Sequence, residues 1–433
     1  MSEILSDKLE YMYSLRRFGI KPGLEVISAI LEQQGHPERS YPSVHITGTN
    51  GKGSTAAMVA SILQSTGLKV GLYTSPHLFR FNERIRVNSQ PISDQQLSEH
   101  IDIIHEISGH APPTFFEFTT AIAFNHFSDQ EVDIAIIEVG LGGTFDATNV
   151  IHPEIAVITN ISLDHTDILG QTKSAIARDK AGIIKRGCDV VTAEEDFAVL
   201  DIFKQKCAEQ NATLHEVKNN INVHLIKQDW YSQTFRTQGA IEDEFTIPLL
   251  GKHQLANATT ALLAVSLLNK RSSIMKQWKN VTINNSNIHK GLVNTSWPGR
   301  LQVVSEDPFV IVDGAHNEAS ALALSRYIRG KELEIDVLIL GLKEGKDADG
   351  IIDILAPLAK QVIATEGTYQ PMKADKIADM IPGSRPIKEV TKAIDTAIEL
   401  AGDQGKILIT GSLYMIPEAM KALTNPKTRI TKK

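Results

Sequence analysis

Two cysteines in 433 residues cannot build a disulfide framework, and Cys188 and Cys207 lack the CxxC spacing of a zinc or redox pair. No disulfide or zinc site is expected, and a reducing cytoplasm is the natural compartment. The chain also lacks any apolar run near the ~20 residues of a membrane helix. Its opening stretch intersperses Glu3, Asp7, Lys8, Glu10, Arg16 and Arg17 with apolar residues, so no signal peptide is expected either. Neither sign of charge dominates: 44 basic against 51 acidic residues leave −7, without the cationic excess that electrostatic binding of nucleic acid requires. An anionic ligand must then be held by local geometry. What is present is 42% apolar and 22% charged, the balance of a folded globular chain with room for two or three domains.

The pattern of apolar runs alternates with helical stretches in both halves. After a helical opening to about Gln34 come the run Tyr41 to Ile46, a glycine-rich turn, and helix Thr55 to Ser65. Further runs at 69–73, 132–139 and 155–161 point to a mostly parallel sheet with crossover helices. Between 215 and 250 the pieces 222–226, 230–236 and 244–249 suggest a small β subdomain, followed by helix 257–268. The Asn-rich stretch 270–296 reads as polar connection, and Trp297 to Arg300 as a hinge. Beyond it, strands at 310–312, 337–340, 361–364 and 406–409 alternate with helices at 319–329, 350–358, 373–380, 391–401 and 415–423. The expected fold is therefore α/β: a P-loop parallel-sheet domain with a small β subdomain over 1–296, and a Rossmann-like domain over 297–433.

The sharpest chemical signal is Gly48-Thr49-Asn50-Gly51-Lys52-Gly53-Ser54, placed between a strand and a helix. Backbone amides at a helix N-terminus wrap phosphate oxygens, Lys52 reaches the β/γ-phosphates, and a hydroxyl can ligate Mg²⁺. The loop departs from G-x-x-x-x-G-K-[ST]: it is shorter between Gly48 and Gly51, and Gly53 separates Lys52 from Ser54. Glu138, ending an apolar run that leads into Gly140, Gly142 and Gly143, sits where open α/β sheets bind ligands and could hold a metal. The same string also fits a methyltransferase motif, but such enzymes have no use for the upstream P-loop.

His165, in Asp164-His165-Thr166-Asp167, follows the strand at 155–161. By itself it reads rather as a hydrogen-bonded turn histidine than as a metal ligand, since imidazole is an uncommon Mg²⁺ ligand. His100, His105 and His110 recur every five residues and cannot share one helix face. Lys180 lies among Ala177, Ala181, Ile183 and Ile184: either a snorkelling surface lysine or, if buried, a neutral nucleophilic amine. Asp313 to Asn317 follow a strand and precede a helix in the second half.

Together these segments resemble the folylpolyglutamate synthase and dihydrofolate synthase family, relatives of the Mur ligases. The matching motifs run the length of the chain: HITGTNGKGST at 45–55, TSPHL at 74–78, ERI at 83–85, FFEFTTAIAF at 115–124, EVGLGGTFDATN at 138–149, ITNISLDHTDILG at 158–170, KAGIIK at 180–185, GKHQLANA at 251–258, WPGR at 297–300, DGAHN at 313–317 and GSLY at 411–414. The resemblance implies an ATP-dependent ligase that adds L-glutamate to the γ-carboxyl of folates through an acyl phosphate, with ATP and folate between two domains. By the resemblance, Gly48, Thr49, Asn50, Gly51, Lys52, Gly53 and Ser54, with Asn257, Arg300 and Asp313, bind ATP. Ser75, Glu138 and His165 ligate Mg²⁺, two ions being expected. Lys180 is carried as a carbamate, His316 acts beside Lys52 and Lys180 in catalysis, and Thr114, Phe115, Phe116, Glu117, Phe145, Asp146 and Ala147 contact folate. Thr144 stands where many bacterial members have a basic residue, which favours folates over dihydropteroate as acceptor. A monomer is expected. A Mur-type amino-acid ligase is the alternative within the same mechanism, but it would have Ser or Thr directly after the lysine. A P-loop ATPase or regulatory nucleotide-binding module would leave DGAHN and WPGR without a role.

Overall fold

The structure, a computed structural model, describes residues 3–19, 23–108, 112–271, 274, 278 and 281–424. His110 and part of the Asn-rich stretch lie outside the described residues. The chain packs as two compact units: Met1–Ile226, Thr234–Thr246 and Leu255–Thr295 form one, and Lys227–Gln233, Ile247–Gln254 and Ser296–Lys433 the other.

In the first unit eight strands form one sheet: β1 (Ser43–Thr47), β2 (Val70–Tyr73), β3 (Ile85–Val87), β4 (Gln90–Pro91), β5 (Ile134–Glu138), β6 (Ile155–Ile158), β7 (Asp189–Thr192) and β8 (Thr213–Glu216). Their order is β4-β3-β2-β5-β1-β6-β7-β8, parallel except for the β2-β3-β4 edge. β1 is fully buried and central, paired with β5 on one side and β6 on the other, so all three release their loops at one carboxyl edge. One core contains Leu5, Met12 and Ile27 together with Phe118, Phe124 and Phe127 of helix Phe115–Asp129; a separate one gathers Ile176, Ile183, Leu200 and Phe203. Burial of such side chains, at about 1.5–3 kcal/mol each, holds the helices on the sheet.

Several sequence expectations shift. The opening helix is broken into Glu3–Ser14, a short 3-10 turn and Glu25–Gln33. Gly19 and Gly23, at φ +65° and +133°, are themselves outside helical space. The Asn-rich stretch is not simply a connection: Asn284 caps a helix, Asn285–Val293, by accepting from Asn287 N. That helix lies so close to Lys52–Gln64 that a Cβ on Gly291 would stand 2.3 Å from the Ile62 Cα. The subdomain is a three-stranded sheet, β9 (Ile221–Gln228), β10 (Gln233–Gly239) and β11 (Asp243–Ile247), in the order β11-β10-β9. β10 starts after Trp230, not at it, because the Asp229 carboxylate accepts from Tyr231 N and Ser232 N and turns the chain.

The second unit holds a six-stranded sheet of β12 (Gln302–Ser305), β13 (Phe309–Val312), β14 (Ile335–Gly341), β15 (Ala359–Thr365), β16 (Arg385–Pro386) and β17 (Lys406–Thr410). Its order is β12-β13-β17-β14-β15-β16, with only the β12-β13 pair antiparallel. Leu338, Leu340, Ile351, Leu355 and Ile377 fill its core.

Candidate active site

The residues with chemistry in the first unit leave β5, β1 and β6, the three central strands. The chain turns after β1 at Gly48, whose φ of +143° and close approach to Thr159 exclude a side chain: a Cβ there would lie 1.8 Å from Thr159 Oγ1. Gly51, also left-handed, caps helix Lys52–Gln64, and Asn257 lies against it. The segment after β6 braces the loop. Thr49 N donates to Asn160 O (2.8 Å), Asn50 N to Asn160 Oδ1 (3.1 Å), and Thr159 Oγ1 and Asn160 Nδ2 donate to Asn50 O (2.6 and 2.9 Å). Lys52 Nζ folds back onto Gly48 O (2.9 Å) and Thr49 O (3.1 Å), at the mouth of the loop. A helix N-terminus with preset amides and a cation at its rim is a phosphate cradle.

Glu138 ends β5 in register with Ile46 of β1, buried at 4% exposure, and its Oε2 accepts from Ser75 N at 3.0 Å. Two of the three residues assigned to metal are thus in direct contact. His165, beyond β6, has a left-handed backbone (φ +49°), its N donates to Asp164 Oδ1 at 2.9 Å, and its ring stands 3.9 Å from the same oxygen. Among the described residues no three His, Cys, Asp or Glu side chains group as metal ligands.

Lys180 is not a snorkelling surface residue: it is 4% exposed, at the end of helix Lys173–Lys180. Burial, and next the Lys52 charge, push its ammonium down to about 7, against the opposing pull of Asp179, Asp164 and Asp146. The glycines after Glu138 have a packing reason here, since a Cβ on Gly143 would lie 2.8 Å from the Lys180 Cα. Thr144 donates from both N (3.0 Å) and Oγ1 (2.9 Å) to Asp179 O, fastening this loop to the Lys180 helix.

The residues expected at folate divide. Thr114 and Glu117 bond each other as a buried helix cap, Glu117 Oε2 accepting from Thr114 N (2.7 Å) and Oγ1 (2.8 Å). Phe115 is buried, stacked on Tyr13 at 5.7 Å, and the Phe116 ring lies over Gly140. Phe145 is 57% exposed, while Asp146 and Ala147 are buried. Burial raises the Asp146 carboxyl to about 6; it accepts from Leu141 N (2.9 Å), Thr148 N (3.1 Å) and the Thr148 hydroxyl, which His45 also meets at 2.8 Å. Thr159, Asn160 and His45 were not singled out by sequence reasoning, although all three stand inside quoted motifs; only tertiary contact shows that Thr159 and Asn160 brace the loop and that His45 meets Thr148.

In the second unit Asp313 follows β13, buried, accepting from Leu301 N and Ala315 N, both at 2.8 Å. Burial raises its pKa and the Arg300 charge opposes that. His316 Nδ1 bonds Gly314 O at 2.8 Å, just before helix Glu318–Gly330.

Known proteins resemble the chain over both units. Residues 46–265 match the Mur ligase middle domain, and 299–413 the Mur ligase, glutamate ligase domain. A dihydrofolate synthase/folylpolyglutamate synthase of Bacillus subtilis is 35% identical over 436 residues, covering 96% of this chain and 98% of the relative. A folylpolyglutamate synthase of Lacticaseibacillus casei is 31% identical, covering 98% and 99%. The solved structure of Mycobacterium tuberculosis folylpolyglutamate synthase complexed with ADP and AMPPCP matches with a TM-score of 0.87 at 31% identity, over 98% of this chain and 99% of that one. With matches that span both units at this identity, the chain belongs to the folylpolyglutamate synthase and dihydrofolate synthase family of Mur-type ligases.

Proposed function

We infer that this protein is an ATP-dependent ligase that joins L-glutamate to the γ-carboxyl of reduced folates, with residues 1–296 as the ATP-binding part and 297–433 as the ligase part. The observation that carries this reading is the braced loop at Gly48 to Lys52, set at one carboxyl edge with Glu138 and facing the charge of a buried Lys180. A carboxylate is a poor acyl donor, so its oxygen first takes the γ-phosphoryl group of ATP, releasing ADP. The glutamate amine then attacks the acyl carbon, phosphate departs with the bonding pair, and the amine proton is lost to a base. Both steps gather negative charge on phosphate oxygens, which the amides after Gly48 and the Lys52 ammonium oppose. Asn257, Arg300 and Asp313 are assigned to the nucleotide, and His316 to catalysis. The chain is read as a cytoplasmic monomer; among the described residues no helix is long and apolar enough to cross a membrane.

The donor set at Glu138 fits Mg²⁺. The Glu138 carboxylate supplies hard oxygens of the kind Mg²⁺ takes, and Ser75, whose backbone N donates to it, carries a hydroxyl of the same donor type. Glu138, Ser75 and His165 would hold the ion, which when bound neutralises phosphate charge. Glu138→Ala and His165→Ala should each raise the Mg²⁺ concentration needed for half-maximal rate. In a double-mutant cycle their losses should fall short of adding by 1 kcal/mol or more. Strict additivity would mean that they do not share an ion.

Thr144 decides a finer point. Thr144→Arg gives up the hydroxyl bond to Asp179 O but adds the basic group frequent in this position, and it should raise kcat/KM for dihydropteroate. Competition between dihydropteroate and a reduced folate, followed by ADP release, tests both the variant and the unaltered protein. Efficient dihydropteroate use by the unaltered protein would overturn the folate preference.

A further inference from the structure

A cavity of about 310 Å³ lies within the first unit, lined by residues that carry no catalytic or binding assignment above. It opens between the β10–β11 turn, the end of helix Lys252–Leu268 with the two residues after it, and helix Asn285–Val293 with the segment that enters it. These three walls are tied together. Asn269 Nδ2 donates to Ile283 O (3.1 Å) and its Oδ1 accepts from Ile283 N (3.0 Å). Asn285 Nδ2 donates to Asp243 Oδ2 (2.8 Å), which also lies 3.0 Å from His289 Nε2. The space between the walls is therefore preformed, and its volume is that of a site for a small molecule.

The floor and the rim differ in chemistry. Val265, Ile283 and Ile288 are buried and make an apolar floor. The rim carries one charge of each sign, Glu242 and Lys270, both exposed, and Ser266 adds a half-buried hydroxyl. Among the described residues neither charge forms an ion pair, with the other or with a third side chain, and the Ser266 hydroxyl makes no hydrogen bond. A carboxylate and an ammonium that line one cavity without neutralising each other leave both signs for a ligand. A simple anion would meet Glu242, and a simple cation would meet Lys270. A small zwitterion whose remaining atoms are apolar satisfies both charges and the floor. The place is also apart from the nucleotide residues: Val265 stands eight positions beyond Asn257 on one helix, roughly 12 Å at about 1.5 Å per residue.

We propose that this cavity binds a free α-amino acid with an aliphatic side chain, its ammonium held by Glu242, its carboxylate by Lys270 and its side chain laid on Val265, Ile283 and Ile288. The site is separate from the catalytic one. It rejects glutamate, because the γ-carboxylate would fall on the apolar floor with no cation to meet it.

Isothermal titration calorimetry of the full chain with L-leucine tests it, with thermal melts to show that each variant is folded. The unaltered protein should bind one L-leucine, and Glu242→Gln and Lys270→Met should each weaken binding about tenfold. The ligand can be cut in step with the protein. L-leucinamide keeps the ammonium and lacks the carboxylate, so its affinity should be insensitive to Lys270→Met; 4-methylpentanoate lacks the ammonium, so its affinity should be insensitive to Glu242→Gln. No binding heat at about 10 mM L-leucine, equal binding by the Glu242→Gln/Lys270→Met double variant, or displacement of L-leucine by L-glutamate at a comparable concentration overturns the proposal. Each of those results leaves the ligase reading standing.

Discussion

Lys52→Ala should cut turnover by about 1,000-fold, roughly 4 kcal/mol of transition-state stabilisation, while the protein unfolds at nearly the same temperature. The two halves of this expectation have separate causes. Lys52 Nζ lies at the loop mouth, bonded to the Gly48 and Thr49 carbonyls, where a phosphate would compete for it; removing it leaves the gathering charge without its cation. The stability of the same helix comes from elsewhere, from buried Ala56, Met58, Val59, Ile62 and Leu63, which the substitution does not touch. Exposed or half-exposed changes of this kind stay within about 0.5 kcal/mol. Circular dichroism melts and ADP release measured on one preparation check both halves. A folded variant with near-normal kcat would end the phosphate-loop assignment.

Lys180→Ala should remove most activity, by about 100-fold or more, and short carboxylic acids such as acetate should restore part of it. An ammonium at Lys180 would face the Lys52 charge in a setting that burial already makes unfavourable to charge, which is why its pKa falls to about 7. A neutral amine there can add to CO₂, giving a carbamate and releasing a proton. The carbamate reverses the sign and presents oxygens in place of a cation. The sign of the pH effect follows. Burial lowers the pKa, so the ammonium takes over as pH falls through about 7, and carbamate formation should decline there. Labelled bicarbonate with ¹³C NMR reads the carbamate carbon directly, and the signal should be absent in Lys180→Ala. Full activity of that variant, or no carbamate signal at pH 8, would refute the modification.

What the residues alone determined was the kind of chemistry and the broad layout. Glycines flanking Lys52 between an apolar run and a helix, Glu138 ending another run, and Asp313 to Asn317 after a third can each be read locally, because strand, loop and helix are short-range patterns of period and composition. The motif order along the chain carried the family in the same way. Other features depended on contacts between distant segments, and no local pattern contains those. The hydrogen bonds from Thr159 and Asn160 that brace the phosphate loop cross 109 and 110 positions of sequence. Asn285–Val293 looked like polar connection because its apolar face is small, and its place is set by the close approach of Gly291 to Ile62. Lys180 read locally as a snorkelling surface lysine, and only the family resemblance pointed to the interior, since the apolar residues around it permit both. The fold decided it, by laying the Gly143 backbone against that helix and closing water off from the amine. Burial is a property of the packed whole, so the lowering of the Lys180 pKa is visible only in three dimensions.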